Sequence, residues 1–182
     1  MLVFFVVVIV VLIIYLSGRP SYDNTRVTDA LLTEFDLTNN NSTLNYDLAV
    51  EIALRNPSNI YRSHYNHINI TAIYKNQAFG IMNYTSFSQG PNHETHLTPS
   101  FRGQYSLNLG AGDDLSKSGV SGADYYDIFI KLNLENESVK KFRPHWKFHR
   151  KLEYTCELKV PLISNGQSAG GNRFNTTRCT YI

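Results

Sequence analysis

Hydrophobic and polar positions divide the chain into an apolar N-terminal block and a long alternating body. Leu2 to Leu16 form an uncharged run, LVFFVVVIVVLIIYL. From Leu44 the pattern becomes strict alternation. Leu44, Tyr46, Leu48, Val50, Ile52 and Leu54 share one side; Asn45, Asp47, Ala49, Glu51 and Ala53 share the other. A repeat of two sustained over that length predicts a half-buried strand, not a helix. The alternation returns at Ile68, Ile70, Ala72 and Tyr74, at Tyr126 to Leu134, and at Leu152 to Leu162. Weaker strands are predicted near residues 30–37, 77–87, 97–107 and 174–181. Breaks fall at Asn56-Pro57-Ser58, at Gln89-Gly90-Pro91-Asn92, and across 110–122 and 164–171, with a helical turn expected only at 113–118. Seven or eight strands with one polar face each, separated by turn residues, predict an all-β antiparallel sandwich without internal repeat or second domain.

The apolar block changes the picture from a plain sandwich to a membrane-attached one. With Met1, Ser17 and Gly18 it reaches the lower limit for a spanning helix, about 17 residues. It lacks a basic n-region and an A-x-A-like cleavage site, so a signal anchor is expected over a cleaved signal peptide. The sequons agree: Asn40, Asn41, Asn69, Asn83, Asn136 and Asn175 each begin N-x-[S/T], six where chance gives about three. Glycans are attached only on the lumenal side, which places the body outside the cytosol. Arg19 and Arg26 oppose the positive-inside rule in that orientation, so a basic cytosolic tail is expected before Met1.

The alternation also sorts the acceptors. Asn69 is out of phase with Ile68 and Ile70 and should point outward. Asn136 should sit in a turn after Leu134, and Asn40 and Asn41 in a turn before Leu44. Asn175 shares phase with Cys179 and Tyr181 unless a bulge intervenes.

There are two cysteines, Cys156 and Cys179. In an oxidising compartment they are expected to pair, Cys156 lying on an apolar strand face; two buried free thiols are the alternative. Catalytic chemistry is not expected. No nucleophile elbow, phosphate-binding loop, dinucleotide fingerprint or H-E-x-x-H occurs. His64/His67 and His93/His96 are three apart, which on a regular strand places them on opposite faces. His145/His149 lack a third ligand. The expectation is no enzyme, no cofactor and no metal.

Net charge is only +2, but its distribution is uneven. Lys140, Lys141, Arg143, Lys147, Arg150 and Lys151 fall within twelve positions, interleaved with Phe142, Trp146 and Phe148. The remainder therefore sums to −4. Outside the cell a nucleic acid is not the expected partner; anionic lipid headgroups or acidic wall polysaccharide are, with other membrane proteins as a further candidate. A hairpin with an ordinary basic outer face is the plain alternative.

The order of several short segments carries a resemblance. Arg19-Pro20 follows the apolar block, then come Asp29 to Leu37 (DALLTEFDL), Leu44-Asn45-Tyr46-Asp47-Leu48, and Arg55-Asn56-Pro57-Ser58. Phe79-Gly80, Phe87-Ser88-Gln89-Gly90, Cys156 to Leu162 (CELKVPL) and Arg178-Cys179 complete it. The chain resembles the plant NHL proteins, harpin-induced-like and non-race-specific-disease-resistance-like, whose outer domain is of the late-embryogenesis-abundant group 2 (water-stress-and-hypersensitive-response) type. It departs in having Asn56-Pro57-Ser58 where the family has Asn-Pro-Asn, and in showing no basic cytosolic tail. The resemblance implies a seven-stranded immunoglobulin or fibronectin-III-like sandwich, plasma-membrane anchoring with the C-terminal domain extracellular, and a non-catalytic role in defence or stress responses. The expected organisation is an anchor at 1–18, a juxtamembrane linker at 19–28 and the sandwich at 29–182. A scaffold, adhesion or signalling module is the leading expectation. A lipid-binding or lipid-transfer domain is the alternative, which a groove open between the sheets would favour.

Overall fold

The computed structural model describes residues 4–9, 24–38, 43–107, 125–140, 143–164, 167–168 and 174–182. Its strands are β1 (Asn24–Thr38), β2 (Thr43–Arg55), β3 (Tyr61–Tyr74), β4 (Gln77–Tyr84), β5 (Phe87–Gln89), β6 (Glu94–Leu97) and β7 (Ser100–Ser106). Two long strands follow, β8 (Tyr125–Lys140) and β9 (Arg143–Pro161). Four two-residue pieces end the chain: β10 (Ile163–Ser164), β11 (Gln167–Ser168), β12 (Thr177–Arg178) and β13 (Thr180–Tyr181).

These build two antiparallel sheets and a small β10–β11 hairpin. In the first sheet the order is β12-β1-β2, with β6 and β7 pairing successive stretches of β2. In the second it is β13-β9-β8-β3, with β4 and β5 sharing the far side of β3. Thr98-Pro99 interrupts one shared edge and Thr85-Ser86 the other. Proline has no N–H to give a ladder, so it falls where pairing along β2 is broken.

One core lies between the sheets. Leu44, Leu48 and Ile52 face Ile68, Ile70, Ile128, Ile130 and Leu158 within it. Phe35 of β1 crosses from one sheet to the other, its ring 4.7 Å from Tyr126, 5.0 Å from Tyr74 and 6.0 Å from Phe79. Each fully buried side chain of this kind stabilises by about 1.5–3 kcal/mol, so the alternating residues largely account for the closed core.

Strand positions follow the alternation; strand lengths exceed it. β1 begins at Asn24, inside the span expected as linker, because bulges at Val27/Asp29 and Leu32/Glu34 break its phase. β3 starts at Tyr61 and β8 continues to Lys140, so Asn136 lies within a strand and not in the expected turn. The Lys75-Asn76 connection turns β3 into β4 with φ of 46° and 61°, the left-handed pair of a tight hairpin.

The apolar block is described only at 4–9, which are helical and exposed, Phe4 at 76%. Among the described residues no helix is long and apolar enough to cross a membrane; most of the span expected as an anchor, like the 113–118 turn, lies outside them.

Candidate functional site

The outward face of the second sheet gathers Lys147 and Lys151 of the basic cluster with carboxylates and histidines of β8, β9 and β3. Along β8, Glu137, Glu135, Asn133 and Lys131 point away from the core; opposite them on β9 stand His149, Lys151, Glu153 and Thr155. Lys147 Nζ lies 2.9 Å from Glu137 Oε1 and His149 Nε2 lies 3.6 Å from Glu137 Oε2. Lys151 Nζ is 3.4 Å from Glu135 Oε1, and Lys131 pairs with Glu153. Hydrogen bonding from Lys147 and Lys151, with the field of the same ammonium groups, holds the Glu137 and Glu135 carboxyls below the usual carboxylate range.

Two histidines join this face through a defect in β3. A bulge between Tyr65 and His67 inserts one residue, so His64 opposes Glu137 and His67 opposes Glu135 on the same side. This corrects the expectation that three-residue spacing would separate them. His67 Nδ1 sits 3.0 Å from Glu135 Oε2, and the His64 ring hydrogen-bonds Ser88 Oγ at 2.6 Å. On the first sheet His96 lies between Glu51 (2.7 Å) and Glu94 (3.3 Å). Among the described residues no three metal-ligating side chains converge.

The basic cluster therefore divides. Lys147 and Lys151 are compensated across the strand. Arg150 is on the opposite phase, half-buried, across from Asn136. Lys140 ends β8 and pairs in register with Arg143 at the start of β9; Lys141 lies outside the described residues. Among the described residues neither Lys140 nor Arg150 has an ion-pair partner. Phe148 packs edge-on to Tyr61 at 5.9 Å yet stays 37% exposed. The acidic partners Glu135 and Glu137 were invisible as such in the sequence, because strand register alone brings them across from the lysines.

The glycosylation acceptors separate as clearly. Asn83, Asn69 and Asn133 stand in register across β4, β3 and β8. Asn69 Nδ2 donates to Asn83 Oδ1 at 2.8 Å, and Thr71 Oγ1 donates to Asn69 Oδ1 at 3.1 Å, so the two sequons share one exposed patch. Asn175 is exposed beside an open cleft of about 630 Å³ that is bordered by Tyr125, Asp127, Phe129, Glu157 and Lys159. Asn136 is different: it is 5% exposed, Nδ2 reaching Ser63 Oγ at 3.5 Å and Oδ1 unpartnered. Asn40 and Asn41 lie outside the described residues.

Cys156 and Cys179 form a disulfide. The C-terminal segment first pairs with β1 through Thr177 and Arg178, then with β9 through Thr180 and Tyr181. Cys179 sits between, its N–H donating to the Thr25 carbonyl at 3.1 Å. One short segment thus closes the open side of both sheets, and the disulfide fixes it to the core face of β9.

No protein-family model matches the chain. Curated relatives do. NDR1/HIN1-like protein 3 of Arabidopsis thaliana is 35% identical over 172 residues, spanning 94% of this chain and 72% of that protein. The chain belongs to the NDR1/HIN1-like family. NDR1/HIN1-like protein 10 and protein 2 of the same plant are each 34% identical, spanning 90% and 93% of this chain and 72% and 70% of their own lengths.

Within this NDR1/HIN1-like chain the segments that carried the resemblance prove to be joints of the fold. Asn56 is 1% exposed; its Nδ2 donates to the Tyr61 carbonyl at 2.9 Å and the Gly90 carbonyl at 3.1 Å, and its Oδ1 accepts from the Ser58 N–H at 3.1 Å. Ser58 Oγ in turn accepts from the N–H of Tyr61 at 2.9 Å. Gln89, fully buried, donates to the Leu54 carbonyl at 2.8 Å and receives the Tyr65 hydroxyl at 3.3 Å. These amides lock the crossing from β2 to β3 against the β5–β6 turn. Gly80 lies against the Phe101 ring, where an added Cβ would approach Cδ1 to 2.7 Å.

Proposed function

We propose that this NDR1/HIN1-like protein is a single-pass membrane glycoprotein of the plant plasma membrane, its C-terminal domain extracellular. It serves defence or stress responses as a non-catalytic scaffold, adhesion or signalling module. Family membership over nine-tenths of the chain is the observation that carries this reading. Three further features support it. The 4–9 helix is apolar and exposed all round, as a segment meant for lipid is. Three of the sequons begin at exposed or half-exposed asparagines, Asn69, Asn83 and Asn175. The one disulfide suits an oxidising compartment.

The domain reads best as a seven-stranded sandwich of the immunoglobulin or fibronectin-III kind. β4 with β5, and β6 with β7, each act as one interrupted strand along a common partner, which leaves seven principal runs. The lipid-transfer alternative needs a groove between the sheets. The open cleft beside Asn175 is instead bordered by β8, β9 and the C-terminal segment, while the inner faces fill one core.

The test is glycosidase digestion of the tagged, expressed protein with alkaline carbonate extraction of its membranes. A downward gel shift together with retention in the pellet is expected. Release into the supernatant without a shift overturns the reading.

A further inference from the structure

The open cleft beside Asn175 has two unlike walls. One is the C-terminal segment and the other is the outward face of the β8–β9 pair. Tyr125, Asp127 and Phe129 alternate along β8 with the buried Tyr126, Ile128 and Ile130, so all three face outward. Strand register sets Lys159 across from Asp127 and Glu157 across from Phe129. Four steps of about 3.4 Å separate Tyr125 from Phe129, which puts a half-buried ring at each end of a floor about 14 Å long, with a carboxylate between them.

This end of the face differs chemically from the rest. Glu135, Glu137 and Glu153 are each taken up by a lysine. Among the described residues Asp127, Glu157 and Lys159 have no ion-pair partner. Aromatic rings flanked by free carboxylates and an ammonium group make a lining suited to a sugar. A pyranose carries C–H bonds on its faces, which the electron-rich face of an aromatic ring attracts. The hydroxyls around its rim donate to carboxylates and accept from ammonium. The volume of about 630 Å³ lies within the range of about 300–1,000 Å³ usual for small-molecule sites.

The position of Asn175 names the sugar. It begins the sequon Asn175-Thr176-Thr177, is exposed, and borders the cleft, which Asn69, Asn83 and Asn136 do not. Its backbone is held on both sides. Thr177 Oγ1 donates to the Asn175 carbonyl at 3.0 Å, Thr177 pairs with Val27 of β1, and Cys179 is bonded to Cys156. We propose that the innermost N-acetylglucosamine units of a glycan on Asn175 lie in this cleft, packed on the Tyr125 and Phe129 rings with their hydroxyls toward Asp127 and Glu157. Attachment gives them a millimolar effective concentration, so contacts too weak to retain a free sugar suffice. The glycan then holds the C-terminal segment to the outward face of β9, as the disulfide holds it to the core face. The proposal rests on the glycoprotein reading above.

The full chain is expressed in a secretory host fed carbon-13 glucosamine, with occupancy of each sequon read by mass spectrometry. Nuclear Overhauser contacts from labelled N-acetylglucosamine to the Tyr125 and Phe129 ring protons are expected, and they should vanish in Asn175→Gln. Amide exchange at Thr177 and Cys179 should quicken about two- to tenfold in that variant. In a Tyr125→Leu, Phe129→Leu background, which keeps apolar side chains on the strand, adding Asn175→Gln should quicken exchange no further. An occupied Asn175 whose sugars touch neither ring overturns the proposal and leaves the glycoprotein reading standing. Asn175 unoccupied while another sequon is occupied does the same; a chain without any glycan overturns both. Ring contacts from added chitobiose, with none from the attached glycan, assign the cleft to a foreign saccharide and also overturn the proposal.

Discussion

Cys179 donates its backbone N–H to the Thr25 carbonyl at 3.1 Å while its side chain is bonded to Cys156 on β9, so one residue ties the edges of both sheets together. The disulfide closes a loop with a sequence separation of 23, for which the entropy of the unfolded chain predicts about 3 kcal/mol. Replacing both cysteines by serine should lower the unfolding free energy by about that amount in a urea titration. Amide exchange should accelerate first around Thr25–Val27 and Tyr154–Thr155, where the C-terminal segment pairs. Uniform acceleration across β2 and β3 would mean that the segment does not close the sheets locally.

Gly80 and Gly90 make a matched pair. A Cβ at Gly80 would meet Phe101 Cδ1 at 2.7 Å, whereas one at Gly90 meets nothing within 4 Å. Phe101 is buried in the core, so it can yield only by repacking. Gly80→Ala should destabilise by about 1–3 kcal/mol in chemical denaturation, and Gly90→Ala should change little. Equal effects would show that the β4–β7 approach does not require glycine at 80.

Much of this fold is legible in the residues themselves. Alternation from Leu44 to Leu54 locates β2 almost to the residue because β2 itself carries no bulge: its register with β7 is unbroken, and the extra residues in its pairing with β1 fall on β1. Legibility fails where register departs from period two. The bulges in β1 hid its start at Asn24, and the bulge before His67 hid the shared face of His64 and His67. The extension of β8 beyond Leu134 was hidden differently. Asn136 and Ser138 sit on the inward phase, and polar residues there read as a turn although the ladder continues. The pairing of Lys147 and Lys151 with acidic residues needs the β8–β9 register, which no local pattern encodes.

Asn56 faces two carbonyl oxygens with its amide nitrogen and one N–H with its amide oxygen. Asn56→Ala removes three hydrogen bonds from this joint, at about 1 kcal/mol for each. Asn56→Asp should be worse at neutral pH, because a carboxylate would face the Tyr61 and Gly90 carbonyls. That variant should recover stability relative to wild type as pH is lowered and the carboxyl protonates. Thermal melts at neutral and mildly acidic pH distinguish the two; an Asp variant as stable as the Ala variant at both would refute this role for the amide.

The carboxyls of Glu135 and Glu137 titrate below the ordinary value of 4.5 because Lys151 and Lys147 hydrogen-bond their charged forms. A depressed folded-state pKa adds stability that is present above the unfolded-state value and is lost as pH falls through the folded one. The window therefore lies at and below about 4.5. Carboxyl NMR titration should show Glu137 moving up toward 4.5 in Lys147→Met while Glu135 stays in place, with the converse in Lys151→Met. Both carboxyls moving in either variant would mean that the face titrates as one network and not as two separate pairs.

The sequons should not be used equally. Asn175 is exposed, and Asn69 and Asn83 open onto the outward face of the second sheet, whereas the Asn136 amide is buried against Ser63. A glycan on Asn136 has no room in the folded sheet, and a chain carrying one there would have to break the pairing of β8 with β3 to accommodate it. Mature protein should thus be unmodified at that site. In the tagged, expressed protein, Asn175→Gln should remove one glycosidase-sensitive increment of mobility and Asn136→Gln none. Asn69 and Asn83 are joined by a 2.8 Å hydrogen bond, so two glycans would crowd one patch; the single variants should each retain the increment that the double variant loses. Loss of an increment on replacing Asn136 would show that this stretch of β8 does not pack as described.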